Sequence, residues 1–360
     1  MTLTDISNYR LLSQKIATHN FTTAKEIVGW MGAMQAQDLA MAKWAVGVRL
    51  SNSTNVKIET ALNCGEIIRT HVMRPTWHFV ASEDVYWLLE LTARKIKLAM
   101  KARDKELELS ETIFAQCNNI LESILSKGIH LGREELAEAF NNAGISTDNN
   151  RLSHILLRAE LEAIVCSGKV NGNKQTYALL SDRVPHKKIL TRDESLAELA
   201  RRYYTSHGPA TLQDFVWWSG LSVTEARQGL EDIKSCFISE TIGSSSYWLT
   251  GSLGKIQPDL NSIYLLPAFD EFLISYRDRS ASLSLIHHQK AVSDNGIFRP
   301  VIVAGGQVTG LWKRTIKKDE VTIQTSSFLP GKTGSKYLYE AASVKFSRFL
   351  DKKVTVGDDY

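Results

Sequence analysis

The sequence has no strong surplus of one charge: 43 Lys and Arg stand against 39 Asp and Glu, a net charge of +4 over 360 residues. That permits a polyanionic partner but is far from the balance of a histone or a basic tail. Cysteine is scarce. Cys64, Cys117, Cys166 and Cys236 stand too far apart for a CxxC pair or a zinc knuckle. Each lies in a largely apolar stretch and reads as a reduced core thiol. No run approaches the ~18 apolar residues of a membrane span. The opening Met1-Thr-Leu-Thr-Asp-Ile-Ser lacks a basic start followed by an apolar run. The expected compartment is the cytoplasm, with no membrane partner. Also missing are GxGxxG, GxxxxGK followed by Ser or Thr, GxSxG and HExxH, and the adjacent His287-His288 suits a surface better than a shared metal. No metal, nucleotide or other cofactor is expected.

What is present is a hydrophobic content of 43%, enough for several compact cores, and a pattern that recurs three times. Each copy reads as a helix, a second helix, a third helix and two short strands, the order of a winged helix-turn-helix. In the middle copy Ile113 to Leu125 has apolar residues at helical spacing. A short amphipathic segment follows Gly132, runs through Leu136 and Phe140, and stops at Asn142-Ala-Gly144. Asp148 or Asn149 is the expected cap of the next helix, whose apolar face is Leu152, Ile155, Leu156 and Ala159. Arg151, His154 and Arg158 project from its other faces, so it is the candidate recognition helix. Ile164 to Leu180 then reads as a hairpin wing turning at Asn171-Gly172, with Lys169 and Asn171 as candidate DNA contacts.

The later copy runs from Leu196 to Tyr204, through a helix capped by Thr211 and ending at Ser219-Gly220, to a capping box at Ser222-x-x-Glu225. Strands near Cys236–Thr241 and Tyr247–Thr250 complete it. The first copy is less regular: a helix over Asn8–Thr18, a capping box at Thr23-x-x-Glu26 opening a helix through Met34, and a helix over Met41–Val48. Ile58–Leu62 and the strands Ile67–Met73 and Thr76–Val80 close it, and Arg94–Lys105 is a basic helical connector. From Ile263 the texture is β-rich, with strands at 263–266, 298–304, 308–312 and 321–323 and a last helix over Tyr337–Leu350. The expected class is α+β, divided into 1–108, 109–188, 189–254 and 255–360.

One segment stands out chemically, Met34-Gln35-Ala36-Gln37-Asp38. Residues two apart share a side of an extended chain but not of a helix, so Gln35 and Gln37 act together only where the helix breaks. Glutamine is neither a nucleophile nor a titrating base, so on the residues alone a structural or surface role fits the pair better. Asp38 could tune a water beside the pair or bind a cation, though an acidic helix cap is the simpler reading. Trp217, Trp218 and Trp312 fit the core better than base stacking, and Asp270 with Arg277 reads as an internal ion pair.

Four segments, in order, resemble the winged-helix DNA glycosylases represented by AlkZ and YcaQ. They are Gln35-Ala-Gln37-Asp38, Arg69-Thr-His-Val-Met-Arg-Pro-Thr-Trp-His78, Leu265-Leu-Pro-Ala-Phe-Asp270 and Gly305-Gly-Gln-Val-Thr-Gly-Leu-Trp312. The resemblance implies three tandem winged helices arranged as a C around a β-barrel, with double-stranded, damaged DNA on the inner side; a chain that already repeats its binding module need not dimerise, and a monomer is expected. It implies that Gln35 and Gln37 are the catalytic pair, as in the AlkZ branch, and that alkylated purines and interstrand crosslinks are the substrates. Lys43, Arg69, Arg74 and His78 are candidate phosphate contacts, although a wing arginine pairs equally well with a carboxylate. Where the family has Arg-Gly-Thr-Leu-His, this chain has Arg74-Pro-Thr-Trp-His78, and the proline removes a backbone donor from the turn. A non-catalytic winged-helix DNA-binding or regulatory protein, or a protein-interaction scaffold, is the alternative on the residues alone.

Overall fold

The computed structural model describes residues 1–171, 174–251, 262–328 and 336–357. The first stretch holds α1 (Leu3–Ser13), α2 (Ala24–Met31), β1 (Met34–Gln35), α3 (Leu39–Gly47), α4 (Asn55–Cys64), β2 (Ile67–His71) and β3 (Trp77–Ala81). Next come α5 (Val85–Glu106), α6 (Glu111–Ile124), β4 (Leu131–Gly132), α7 (Arg133–Asn142), α8 (Arg151–Leu161), β5 (Val165–Ser167), β6 (Thr176–Leu179) and the short α9 (Leu180–Arg183). The third stretch is α10 (Arg192–His207), α11 (Leu212–Ser219), α12 (Val223–Ile233), β7 (Ile238–Ile242) and β8 (Ser245–Leu249). The last is β9 (Ile263–Leu266), α13 (Glu271–Ile274), α14 (His288–Ala291), β10 (Val301–Ala304), β11 (Gln307–Ile316), β12 (Glu320–Ser327), α15 (Lys336–Leu350) and β13 (Lys353–Val356). The fold is α+β, as expected. Among the described residues, no helix is long and apolar enough to cross a membrane.

The chain packs as two compact units, one of residues 1–58 with 196–360 and one of residues 59–195, with boundaries inside α4 and α10. This grouping follows packing, whereas the expected four-part division follows sequence order; its boundary at 254/255 lies outside the described residues.

In the unit 59–195, Ser110 caps α6 by accepting the Ile113 N–H at 3.3 Å. Phe114, Leu121, Leu136, Phe140, Ile155 and Leu156 from α6, α7 and α8 meet in one core, each such side chain contributing about 1.5–3 kcal/mol on burial. Strands β4, β6 and β5 form a three-stranded sheet in that order. The expected cap of α8 is corrected. Asn150 holds the N-cap position in the left-handed region (φ 71) with no side-chain bond to the helix, and Asn149 before it is also left-handed (φ 52). The β5–β6 hairpin carries a backbone pair between Asn171 and Lys174; Gly172 of the expected turn lies outside the described residues.

In the unit built from both ends, α1 starts earlier than the apolar spacing predicts. Thr2 and Asp5 make a capping box, and the helix stops at Ser13, before the left-handed Lys15 (φ 61). The boxes at Thr23–Glu26, Thr211–Asp214 and Ser222–Glu225 open α2, α11 and α12. A five-stranded sheet runs β13-β12-β11-β10-β9. Its edge strand β13, parallel to β12 and mostly exposed, carries the alternating Val354 and Val356 and is an element the sequence expectations lack. α15 sets Phe346 and Phe349 against Trp44, at 5.0 and 5.1 Å between rings. Gly47 is required for this approach, since a Cβ there would stand 2.5 Å from the Phe349 ring.

The expectation of four core thiols holds for half of them. Cys117 and Cys166 are buried, and burial pushes them up to about 11 and about 12; Cys64 and Cys236 are exposed, and all four are free. The expected Asp270–Arg277 pair does not form. Asp270 takes two hydrogen bonds from Arg49, both at 2.8 Å, while Arg277 donates to Gln213 at 3.0 Å.

Candidate active site

The helix break required by the paired glutamines is present. α2 ends at Met31, where Gly32 takes a positive φ of 77°, a conformation natural to glycine. The chain is extended through Met34–Gln35, and Asp38 restarts the helix by accepting the Met41 N–H at 3.0 Å. Asp38 is therefore the acidic cap of α3. Between the two helices, Gln35 is 5% exposed, Ala36 is buried and Gln37 is exposed. The Gln35 side-chain oxygen accepts the Gln37 N–H at 2.7 Å, which fixes its amide and leaves that oxygen a second lone pair.

Gln35 is held from behind by a residue absent from the sequence expectations. The Glu271 carboxylate, 1% exposed at the start of α13, accepts the Gln35 N–H at 2.6 Å. Its other oxygen accepts the Trp218 indole N–H at 3.2 Å and the Ser275 hydroxyl, and lies 3.8 Å from His207 Nε2. Burial alone would raise this carboxyl; His207, the Ser275 hydroxyl and the Gln35 N–H outweigh it and bring it to about 2. Burial pulls His207 below the ordinary imidazole range, against the raising effect of Glu271. Gln14 continues the network by donating to the Glu271 carbonyl at 3.2 Å and accepting from Arg49 at 2.9 Å. A buried anion thus fixes the peptide that carries Gln35. The sequence signal for it is Leu265-Leu-Pro-Ala-Phe-Asp270, which stops one residue short of Glu271.

The expected DNA contacts divide by environment. On the first hairpin, Arg69 is 4% exposed, stacks 4.1 Å over the Trp77 ring and donates to Gln175. His78 is buried with Nδ1 2.9 Å from the Thr76 carbonyl, and Arg74 is half-buried. Pro75 is exposed in the turn, which closes through Arg74 N–H to Val72 and Thr76 N–H to Arg74, both at 2.7 Å. Lys43, on α3, is 8% exposed.

On α8 the cations are engaged within their own unit. Arg151 donates to the carbonyls of Ser146 and Leu107, and His154 lies 2.7 Å from Asp104. Arg158 binds Glu162 at 2.6 Å, pairs with Glu111 and covers the Phe114 ring. Of the expected contacts, only Lys169 and Asn171, between β5 and β6, are exposed. Trp218 and Trp312 are core, as expected, whereas Trp217 is 42% exposed beneath Arg279. Among the described residues, no group of three or more His, Cys, Asp or Glu is arranged to hold a metal ion.

A family model described as DNA glycosylase AlkZ-like matches residues 28–344. The chain belongs to this family. The expectation carried by Gln35-Ala-Gln37-Asp38 and the three later segments is borne out at that level, and with it the class: AlkZ-like DNA glycosylases are hydrolases acting on DNA. A curated relative, the interstrand DNA cross-link repair glycosylase of Streptomyces sahachiroi, is 22% identical over 319 residues, 85% of this chain and 86% of that protein. The solved structure of the Streptomyces sahachiroi DNA glycosylase AlkZ superposes with a TM-score of 0.81 at 20% identity, covering 99% of this AlkZ-like chain and 100% of that one. This likeness concerns the fold.

Proposed function

We propose that this AlkZ-like chain hydrolyses the N-glycosidic bond of alkylated purines such as N7-alkylguanine, takes interstrand crosslinks among its substrates, and uses a water held by Gln35 and Gln37. The observation that carries the reading is the helix break, in which the Gln35 amide is fixed and Gln37 is exposed beside it. An N7-alkylated guanine is already cationic, so the pair of electrons in the breaking C1′–N9 bond neutralises the departing base without a general acid. Water adds to C1′ and loses its proton to solvent. The amide oxygens orient that water and offset the charge developing on the sugar. Neutral glutamines restrict such a site to labile adducts.

The order α6, β4, α7, α8, β5, β6, with sheet order β4-β6-β5, supports reading that stretch as a winged helix. The backbone pair between Ala210 and Trp248 supports the same reading of α10 to β8. In the middle module, Lys169 and Asn171 on the wing would touch phosphate. A chain that repeats its binding module has no need to dimerise and would act as a monomer.

The test is release of 7-methylguanine from methylated duplex by the native chain and by Gln35→Ala with Gln37→Ala. Release should fall by about 10²–10³-fold in the double variant, the scale of losing groups that stabilise transition-state charge. Equal release by both, or none by the native chain, overturns the proposal.

A further inference from the structure

We propose that the outward face of the second half of α5, in the unit 59–195, is a second binding surface for the DNA backbone, separate from the wings. The first half of α5 is a packing helix, with Trp87, Leu88 and Leu91 buried. From residue 94 its character changes. Arg94, Lys95, Lys97, Lys101, Arg103 and Lys105 share the stretch with two acids, Asp104 and Glu106. Asp104 is buried and bound to His154, Glu106 pairs with Arg103 at 2.7 Å, and Lys97 reaches Glu162 at 3.5 Å. Arg94, Lys101 and Lys105 are exposed, and no hydrogen-bond or ion-pair partner is seen for their side chains among the described residues.

Their positions, seven and four residues apart, fall on one face of an α-helix, a row about 17 Å long at about 1.5 Å per residue. Leu98, 62% exposed, sits in the same row. This face and the start of α6 line a cavity of about 950 Å³ whose floor includes Leu109 and Phe114. Glu111 on its rim shares Arg158 with Glu162 and Asp104 is bound to His154, while Glu108 is the lining carboxylate with no side chain bound to it among the described residues. A straight row of cations beside an apolar floor is complementary to a regular polyanion with exposed sugars, which is the backbone of a duplex. On α8, Arg151, His154 and Arg158 are engaged by other groups of their own unit, unlike the three α5 cations.

The inference rests on the reading that the chain acts on DNA, and its test is independent of base release. Affinity for an undamaged fluorescent duplex is measured against salt for the native chain and for two variants that each remove three positive charges. One carries Arg94→Ala, Lys101→Ala and Lys105→Ala. The other carries Lys317→Ala, Lys318→Ala and Lys353→Ala, exposed positions in the other unit. Each lost phosphate contact lowers the slope of log K against log salt by about 0.9, so the α5 variant should lower it by about 2 to 3 and the second variant should leave it unchanged. A fall of less than about 2, an equal fall in both variants, or a native chain that does not bind overturns the surface. A changed slope in a chain that releases no base sinks the enzymatic reading and leaves the surface standing.

Discussion

Two buried carboxylates, one in each unit, collect nearly the same partners. Glu271 accepts the Gln35 backbone N–H, the Trp218 indole N–H and the Ser275 hydroxyl. Glu160 on α8 accepts the His71 backbone N–H at 2.8 Å, the Thr70 hydroxyl at 3.3 Å and the Trp77 indole N–H at 3.4 Å, and lies 2.6 Å from His71 Nδ1. Each pins an extended segment to a helix. They differ in what the pinned segment presents. Behind Glu160 the residues held are themselves buried, Thr70 at 0% and His71 at 8% exposure. Behind Glu271 the segment emerges two residues later at the exposed Gln37. A satisfied buried carboxylate is thus no mark of a catalytic centre; the accessible polar group on the segment it fixes distinguishes the two.

Exchanging each carboxylate for its amide should break the likeness most visibly. Glu271→Gln keeps the shape but puts an N–H₂ or a weaker acceptor where the Gln35 and Trp218 donors converge, so the Gln35 peptide shifts. Misplacing a water-orienting group by about 1 Å costs on the order of 10²-fold, and the loss should appear in kcat for 7-methylguanine release with KM nearly constant. Glu160→Gln should destabilise its unit by about 2–3 kcal/mol through donors left without an acceptor, while kcat per folded molecule stays at the native value. Thermal melting and single-turnover release on both variants check this. Equal effects on kcat would mean that Glu271 is only another structural anchor.

Acid should then weaken the Glu271 cluster. Glu271 stands at about 2 in the folded chain against an ordinary 4.5, so its contribution is complete above about 4.5 and is lost as pH falls toward 2. His207 is lowered from 6.5, so the unfolded chain takes up a proton below that pH while the folded chain resists. Its contribution is also lost on acidification. Both act in one direction, and the melting temperature of the unit holding Gln35 should fall as pH drops below about 6.5 and continue to fall below 4.5. His207→Gln should flatten the upper part of that curve. A profile level from pH 7 to 5, or the same in the variant, would show that His207 does not titrate against the fold.

What the sequence makes legible here is what is local. Thr23–Glu26 and Ser222–Glu225 announce helix starts because both partners of the box lie within one turn, and the β2–β3 hairpin follows from short apolar runs, Ile67-Ile68 and Phe79-Val80-Ala81, on either side of a turn. The glutamine pair is legible as a candidate because the spacing demands a helix break that Gly32 then supplies. The Glu271 support is not, since Gln35 and Glu271 are 236 positions apart. The partners of the α8 side chains are hidden in the same way. The charged face of the helix was readable, but His154 finds Asp104 50 positions upstream and Arg158 finds Glu111 47 upstream. The joining of residues 1–58 with 196–360 likewise leaves no mark in local periodicity.

The smallest effect tests the α8 half of the comparison. Arg158 bridges Glu111 and Glu162 and lies 4.7 Å over the Phe114 ring, with 12% of its side chain exposed. Glu111 is 80% exposed, so that half of the bridge is screened by solvent and adds little. Arg158→Ala should therefore cost about 1 kcal/mol, most of it from the Glu162 bond and the packing on Phe114. If the guanidinium serves the fold alone, the salt slope of duplex binding stays at the native value while the melting temperature drops by a few degrees. A slope lowered by about 0.9, the increment of one phosphate, with melting unchanged would instead return Arg158 to the DNA and make α8 a recognition helix after all.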